Sequence, residues 1–202
     1  MKILNLYAGI GGNRKLWGDE HDITAIESNF DIAHANRQMY RKDKVFVTDA
    51  HDFLINHFKE FDFIWSSPPC PTHSRVRTGL AGWGLYVYPD MSLYQEIIFL
   101  QKFFKGDWVV ENVRPYYKPL IEPTAELDRH LFWSNLEIPK REFDKHPDVS
   151  RSKKEDLAKY HGIELPPKTK DQRKLLRNAV NPQVGKYILE LRNKFNDKYK
   201  ED

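Results

Sequence analysis

The chain has 202 residues, of which 40% are hydrophobic and 30% charged, and we expect residues 1–202 to form a single globular domain. No apolar run approaches the roughly 20 residues of a membrane helix, so a membrane role is not expected. Cys70 is the only cysteine, which excludes an internal disulfide and a zinc site of several thiolates, and we expect no metal. Residues 1–139 hold 15 basic and 18 acidic side chains, and the remainder holds 17 and 11. The basic excess suits either a face for a polyanion or a solvated lysine-rich tail.

Short apolar runs recur along the chain, and helix-length amphipathic segments separate the first five. In order they read KILNLY, DITAIE, KVFVT, FDFIWS, DWVVEN and HLFWSN. This alternation predicts an α/β fold with a doubly wound, mostly parallel sheet and helices on both faces. In such a sheet the ligand site lies at the carboxyl ends of the strands.

A glycine-rich turn follows the first predicted strand. Gly9, Gly11 and Gly12 permit positive φ and let a ligand approach the backbone, so the turn could hold a methyl donor or a dinucleotide, or merely close a corner. Glu27 ends the second strand, where a carboxylate can accept hydrogen bonds from ribose hydroxyls. Asp49 follows the third strand and could accept from an adenine amino group. For either carboxylate, a solvated strand end or a helix N-cap is the alternative.

Cys70 follows the fourth predicted strand, behind two prolines that stiffen the turn. A lone cysteine is often only a small buried hydrophobic residue. Here, however, Glu111 ends the fifth strand, which neighbours the fourth in this topology, so the cysteine and the glutamate could face the same ligand. Addition of a thiolate to C6 of cytosine activates C5, and a carboxylic acid at N3 drains the charge that builds up. The pattern predicts Cys70 as nucleophile, Glu111 as the N3 partner and Asn112 as a brace for the glutamate's strand end.

The segment from Pro71 to Pro89 is rich in glycine, arginine and aromatic residues and has no regular period. We expect a long mobile loop, of the kind that often binds ligands or acts as a lid. Arg75, Arg77 and Trp83 are its candidate substrate-binding residues. Trp83, Tyr86 and Arg77 could fill the gap left by a flipped base, or could be ordinary loop side chains.

Six fragments, taken in order, resemble the motifs of the DNA cytosine-5 methyltransferase family: LYAGIGG, Glu27, SSPPCPTHS, ENV, RHLFWSN and RNAVNPQVG. They extend from Leu4 to about Ile188. The resemblance implies a class I S-adenosylmethionine-dependent methyltransferase, with DNA as partner and base flipping towards Cys70. It implies further donor-site residues: Tyr7, Ala8, Ser28, Ala50, Pro68, Asn178, Ala179 and Val180. Ser74 is implied to match the serine that ends the family's Pro-Pro-Cys motif.

The chain also departs from that family. Ser66 and Ser67 stand where many relatives have glycines, and Pro71 stands in place of a glutamine. The family usually has two arginines before the last strand, one of which contacts the cytosine or supports the glutamate. Arg129 is the first candidate for that contact and His130 the second, and a structural role at the strand edge is the alternative for each.

Residues 136–170 are too few for the target-recognition domain of larger relatives, so we expect only a reduced recognition segment there. Recognition could be relaxed, could rest on this segment and the loop, or could come from a second subunit. The sequence favours a DNA (cytosine-5)-methyltransferase in the cytoplasm of a prokaryotic or virus-infected cell, for example in restriction-modification. Methylation of tRNA or of a free cytosine nucleotide, and a non-catalytic subunit of a split enzyme, remain open.

Overall fold

The structure is a computed structural model that describes residues 1–75, 87–148 and 151–198, without the side chains of 194–198. The strands of its sheet are β1 (Lys2–Leu6), β2 (Asp22–Ile26), β3 (Lys44–Phe46), β4 (Phe63–Ser66), β5 (Asp107–Val113), β6 (Ala125–Leu127) and β7 (His130–Ser134). They are arranged in the order β3-β2-β1-β4-β5-β7-β6. The first five strands are parallel to one another, whereas β7 runs antiparallel to both β5 and β6. The predicted doubly wound, mostly parallel α/β sheet is confirmed.

The helices are α1 (Phe30–Met39), α2 (Ala50–His57), α3 (Ser92–Phe103), α4 (Lys154–His161), α5 (Gln172–Asn178) and α6 (Pro182–Lys198), with short 3-10 helices at Asn13–Leu16 and Phe58–Glu60. Local side chains start two of them. The side chain of Asn29 accepts a hydrogen bond from the Ile32 amide at the start of α1, and Asp49 accepts one from the Asp52 amide at the start of α2. Within the described ranges, no helix is both long and apolar enough to cross a bilayer.

Apolar side chains cover both faces of the sheet. On one face, Leu4 and Ile64 pack with Leu54 of α2 and with Ile97 of α3. The opposite face includes residues one position along the strands, such as Ile3 and Trp65, which pack with Val184 and Ile188 of α6. Because both faces are buried, the strands read as continuous apolar runs rather than as an alternation. This explains why those runs were visible in the sequence.

A third apolar cluster joins the glycine-rich turn to the C-terminal third of the chain. Ile10 of the turn packs with Leu157 of α4, with Ile163 and with Leu176 of α5. Part of the predicted recognition segment, 136–170, therefore packs against the turn at the carboxyl end of β1, where the site was expected. Its role in recognition stays a prediction.

Candidate active site

A cavity of about 330 Å³ opens at the carboxyl ends of β1, β2, β4 and β5, within the roughly 300–1,000 Å³ usual for ligand pockets. Six chain segments form its wall. They contribute Tyr7, Ala8, Gly9, Ile10, Gly12 and Asn13; Glu27, Ser28 and Ile32; Ser67 to Pro71; Glu111 to Val113 with Arg129 and His130; and Leu175 with Asn178, Ala179 and Val180.

The glycine-rich turn is held tightly on two sides. Gly9 and Gly11 adopt φ values of 52° and 68°, a left-handed conformation that glycine tolerates best. A Cβ on Gly11 would lie 2.5 Å from the ring of Tyr40, so this glycine faces α1 and does not line the cavity. A Cβ on Gly12 would lie 2.5 Å from the carbonyl oxygen of Val180. The turn can thus offer backbone groups to a ligand at close range.

The segment after α5 closes the cavity against this turn. Asn178, Ala179 and Val180 all line it, and a Cβ on Gly185 of α6 would lie 2.2 Å from the carbonyl oxygen of Asn13. The last helix therefore lies directly on the 3-10 helix that follows the turn.

Of the acidic donor-site candidates, one lines the cavity and one does not. Glu27 accepts a hydrogen bond from the Gly9 amide at 3.0 Å with Oε2, and one from the Asn29 amide at 2.8 Å with Oε1. Each carboxylate oxygen can accept a further bond, so Glu27 can still receive ligand hydroxyls. Asp49 caps α2 and, like the buried Ala50, is not part of the wall. The helix-cap alternative describes Asp49.

Cys70 lies in the cavity wall on the loop that leaves β4. Burial raises the pKa of its thiol above the ordinary range, and the charge of Glu111 raises it further, while Arg129 acts in the opposite direction. Asn112 braces this loop, because its Nδ2 donates to the carbonyl oxygen of Pro68 at 3.0 Å. This bond links β5 to the Pro-Pro-Cys turn, and the predicted role of Asn112 as a brace for the glutamate's strand end stays a prediction.

Glu111 lies 5% exposed in the same wall. Burial raises the pKa of its carboxyl to about 7, although a hydrogen bond with Ser67 and the charge of Arg129 both lower it. His130 Nε2 lies 3.5 Å from Glu111 Oε1, across the β5–β7 pair. Because burial and then Arg129 lower the pKa of His130 well below its ordinary value, this imidazole is neutral at pH 7. A protonated carboxyl beside a neutral imidazole is therefore accessible near neutral pH.

Arg129 lines the cavity, but backbone carbonyls hold its guanidinium. One Nη2 atom donates to the carbonyl oxygens of Arg177 at 2.6 Å and Ala179 at 3.2 Å. Arg129 thus ties the start of β7 to the segment after α5 and brings a positive charge close to Cys70 and Glu111. Between the two candidates for contact with the glutamate, His130 is the one whose ring faces the carboxylate.

The remaining substrate-binding candidates are less central. Ser74 pairs with Pro115 in an isolated bridge, and Arg75 Nε donates to the Pro115 carbonyl oxygen at 3.3 Å. Neither lines the cavity. Arg77, Trp83 and Tyr86 lie outside the described residues. Among the described residues, no group of three or more histidine, cysteine, aspartate or glutamate side chains is placed to hold a metal ion.

Several residues of the wall were not among the candidates from the sequence: Ile10, Asn13, Ile32, Ser67, Pro69, Pro71, Val113 and Leu175. Ser67 contributes a hydroxyl that accepts a hydrogen bond from Trp65 Nε1 at 2.9 Å and bonds with Glu111. Its signal was present, since Ser67 is one of the positions where the chain departs from the glycines of the family it resembles.

Comparisons with known proteins give matches in structure alone. No model of a known protein family matches the sequence, and no curated protein does. The Entamoeba histolytica methyltransferase EhMeth has a TM-score of 0.61 and 11% identity over 98% of each chain. A mutant of Spodoptera frugiperda DNMT2 has a TM-score of 0.62 and 14% identity over 95% of this chain and 99% of that one. With the strand order, these matches establish the class I methyltransferase fold.

Proposed function

We propose that the chain transfers a methyl group from S-adenosylmethionine to C5 of cytosine in DNA. The observation that carries the proposal is the shared cavity wall, in which Cys70 and Glu111 lie together with the glycine-rich turn. A nucleophile, a carboxylic acid and a donor-sized pocket on one wall are what this two-substrate reaction needs.

The residues present fit S-adenosylmethionine. The turn at Gly9 presents a backbone without side chains in the way, Glu27 has acceptor capacity for ribose hydroxyls, and Ala179 and Val180 supply an apolar surface. The donor, when bound, supplies an electrophilic methyl group on a sulfonium ion. The part of the wall formed by Tyr7, Pro68 and Cys70 then adjoins the space where a base would lie.

The chain's own groups account for the remaining steps. The Cys70 thiolate adds to C6, Glu111 donates a hydrogen bond to N3, and C5 becomes nucleophilic enough to take the methyl group. Loss of the C5 proton to a base or solvent then eliminates the thiolate and restores the ring. A protonated Glu111 serves both partners. While the proton resides on the carboxyl group, it removes the negative charge that raises the pKa of Cys70, and the same proton is available to N3 as charge builds up there.

The choice of DNA rests on the ordered motifs in the sequence and on the basic excess of residues 140–202, which suits a polyanion. A base in a duplex reaches a buried thiol only when flipped out of the stack. A second subunit that supplies target recognition is compatible with the same chemistry.

Methyl transfer to three acceptors tests the proposal. The protein is incubated with labelled S-adenosylmethionine and duplex DNA, tRNA or dCMP, followed by digestion and identification of the labelled base. We expect 5-methylcytosine in DNA, and its loss in Cys70→Ser. Label confined to tRNA or dCMP would overturn the choice of DNA, and 5-methylcytosine formed by Cys70→Ser would overturn the mechanism. Ser134→Ala, a buried substitution on β7 away from the cavity, serves as the control.

A further inference from the structure

A fully buried carboxylate lies behind the cavity without lining it. Glu96 of α3 has 0% exposure, although its neighbours on the outer face of the helix are exposed. A buried carboxylate is costly unless its oxygens are hydrogen-bonded, so the groups it contacts indicate why it is there. Three parts of the chain supply those groups: the glycine-rich turn, the end of β4 and α2.

One oxygen of Glu96 accepts a hydrogen bond from the hydroxyl of Tyr7. Tyr7 lines the cavity at the start of the glycine-rich turn, and its φ of 53° lies in the left-handed region that non-glycine residues rarely adopt. Such a conformation persists only where the surroundings enforce it. The bond to Glu96 anchors the side chain of the residue whose backbone begins the donor turn.

The other oxygen of Glu96 accepts a hydrogen bond from the hydroxyl of Ser66. Ser66 is the last residue of β4 and is 0% exposed; it does not line the cavity. The next residues along the chain are Ser67 and the Pro-Pro-Cys turn. Glu96 therefore accepts a hydrogen bond at the start of the nucleophile loop (residues 67–71) with one oxygen and at the start of the donor turn (residues 7–12) with the other.

A third contact comes from α2, since His51 Nδ1 lies 3.8 Å from Glu96 Oε1. The other ring nitrogen of His51 lies 3.1 Å from Gln95 Nε2. Burial raises the pKa of Glu96, and its hydrogen bonds with Ser66 and Tyr7 oppose that rise.

We propose that Glu96 is a positioning residue that couples the donor turn to the nucleophile loop, so that a change at either one is felt at the other. The idea rests on the proposed function for its purpose, namely to keep the methyl donor in register with Cys70. If the reacting groups are misplaced by about 1 Å, the rate can fall about a hundredfold, so a link that fixes the donor turn relative to Cys70 would favour methyl transfer. A purely local role would satisfy two hydroxyls independently and would transmit nothing between them.

Two hydroxyl deletions separate coupling from local effects, each read at the opposite loop. Ser66→Ala is assayed for binding of S-adenosylmethionine by calorimetry, without any acceptor. Tyr7→Phe is assayed for alkylation of Cys70 by iodoacetamide, which is specific because Cys70 is the only cysteine. We expect donor binding to weaken about tenfold in Ser66→Ala, the scale of one lost hydrogen bond to a carboxylate. We expect alkylation to quicken several-fold in Tyr7→Phe, as the loop loosens and the thiol becomes less buried.

Ser134→Ala is the matched control, because Ser134 is also a buried, hydrogen-bonded serine at the end of a strand. It should change neither readout by more than about twofold. Glu96→Gln should keep most of the donor affinity and most of the protection of Cys70 from alkylation, since an amide can accept from one hydroxyl and donate to the other. Glu96→Ala should lose both the affinity and the protection.

The proposal is overturned if either deletion affects only its own loop, that is, if Ser66→Ala binds the donor like Ser134→Ala or if Tyr7→Phe leaves the alkylation rate of Cys70 unchanged. A wild-type protein that does not bind S-adenosylmethionine refutes the proposed function instead. The alkylation comparison then still decides whether Glu96 links the two loops.

Discussion

Replacing Glu111 with glutamine should stabilise the fold in a pH-dependent manner. The carboxyl has a pKa of about 7 in the folded protein against an ordinary 4.5. The folded state therefore binds this proton more tightly than the unfolded state does. The stability associated with that proton is fully present below pH 4.5 and is lost as the pH rises through 7.

The magnitude follows from the two pKa values. Each pKa unit corresponds to about 1.4 kcal/mol, so the charged carboxyl costs the fold about 3 kcal/mol above pH 7. Glu111→Gln removes that cost while keeping the size of the side chain. The free energy of unfolding of the variant should exceed that of the wild type by about 3 kcal/mol at pH 8.5, and the excess should shrink towards zero near pH 4.5.

Urea unfolding followed by tryptophan fluorescence at pH 4.5, 6 and 8.5 measures this difference. For a domain of this size, about 3 kcal/mol corresponds to a shift of roughly 1.5 M in the urea midpoint. Midpoints that stay a constant distance apart across the three pH values would falsify the reasoning, because a uniform offset reflects packing and not titration. Methyl transfer by the same variant should fall sharply at every pH.

Three further outcomes are expected. The same glutamine variant should show faster iodoacetamide alkylation of Cys70 above pH 8, by several-fold, because loss of the neighbouring charge lowers the thiol pKa; an unchanged rate would contradict that cause. Gly12→Ala should cost about 1–3 kcal/mol and weaken donor binding in calorimetry, whereas Gly162→Ala, strained by its φ of 60° but far from any contact, should lower stability and leave donor affinity intact. The side chains of Arg14 and Asp43 form a buried ion pair at 2.8 Å, so Asp43→Ala should lower the free energy of unfolding by about 3–5 kcal/mol. Asp22→Ala, which breaks the exposed pair with Lys44, should lower it by less than about 1 kcal/mol in the same urea titration.

The sheet could be predicted largely because its strands are buried on both faces. The strands β1, β2, β4, β5 and β7 are buried at all but their terminal residues and read as mostly apolar runs, so no knowledge of partners was needed, whereas in β3 only Val45 is buried. β6 was missed, since Ala125–Leu127 is three residues long with an exposed Glu126, and it is a strand only by virtue of pairing with β7. α5 was missed for a related reason. Five of its seven residues are polar or charged, and Leu176 alone is buried within it.

The site residues also differ in whether the sequence alone could reveal them. Cys70 and Glu111 were predicted to face one ligand from their positions at strand ends, and the structure brings both to one cavity. Glu96 could not be found in this way, because its helix reads as an ordinary amphipathic segment. Its burial depends on Tyr7 and Ser66, which are distant in sequence. Arg129 shows the same limit: its charge was evident, but the carbonyl oxygens that hold it belong to a segment about 50 residues further on.

The close approach of Gly12 to Val180, and of Gly185 to Asn13, joins segments from opposite ends of the described chain. Contacts between such distant segments carry a large loop-closure entropy and tend to form late when a protein folds. The sheet can therefore assemble while the cavity still lacks one of its walls. A ligand that needs this wall has nothing to bind in the folding transition state. Bound S-adenosylmethionine should accordingly slow unfolding in stopped-flow experiments and leave the refolding rate unchanged.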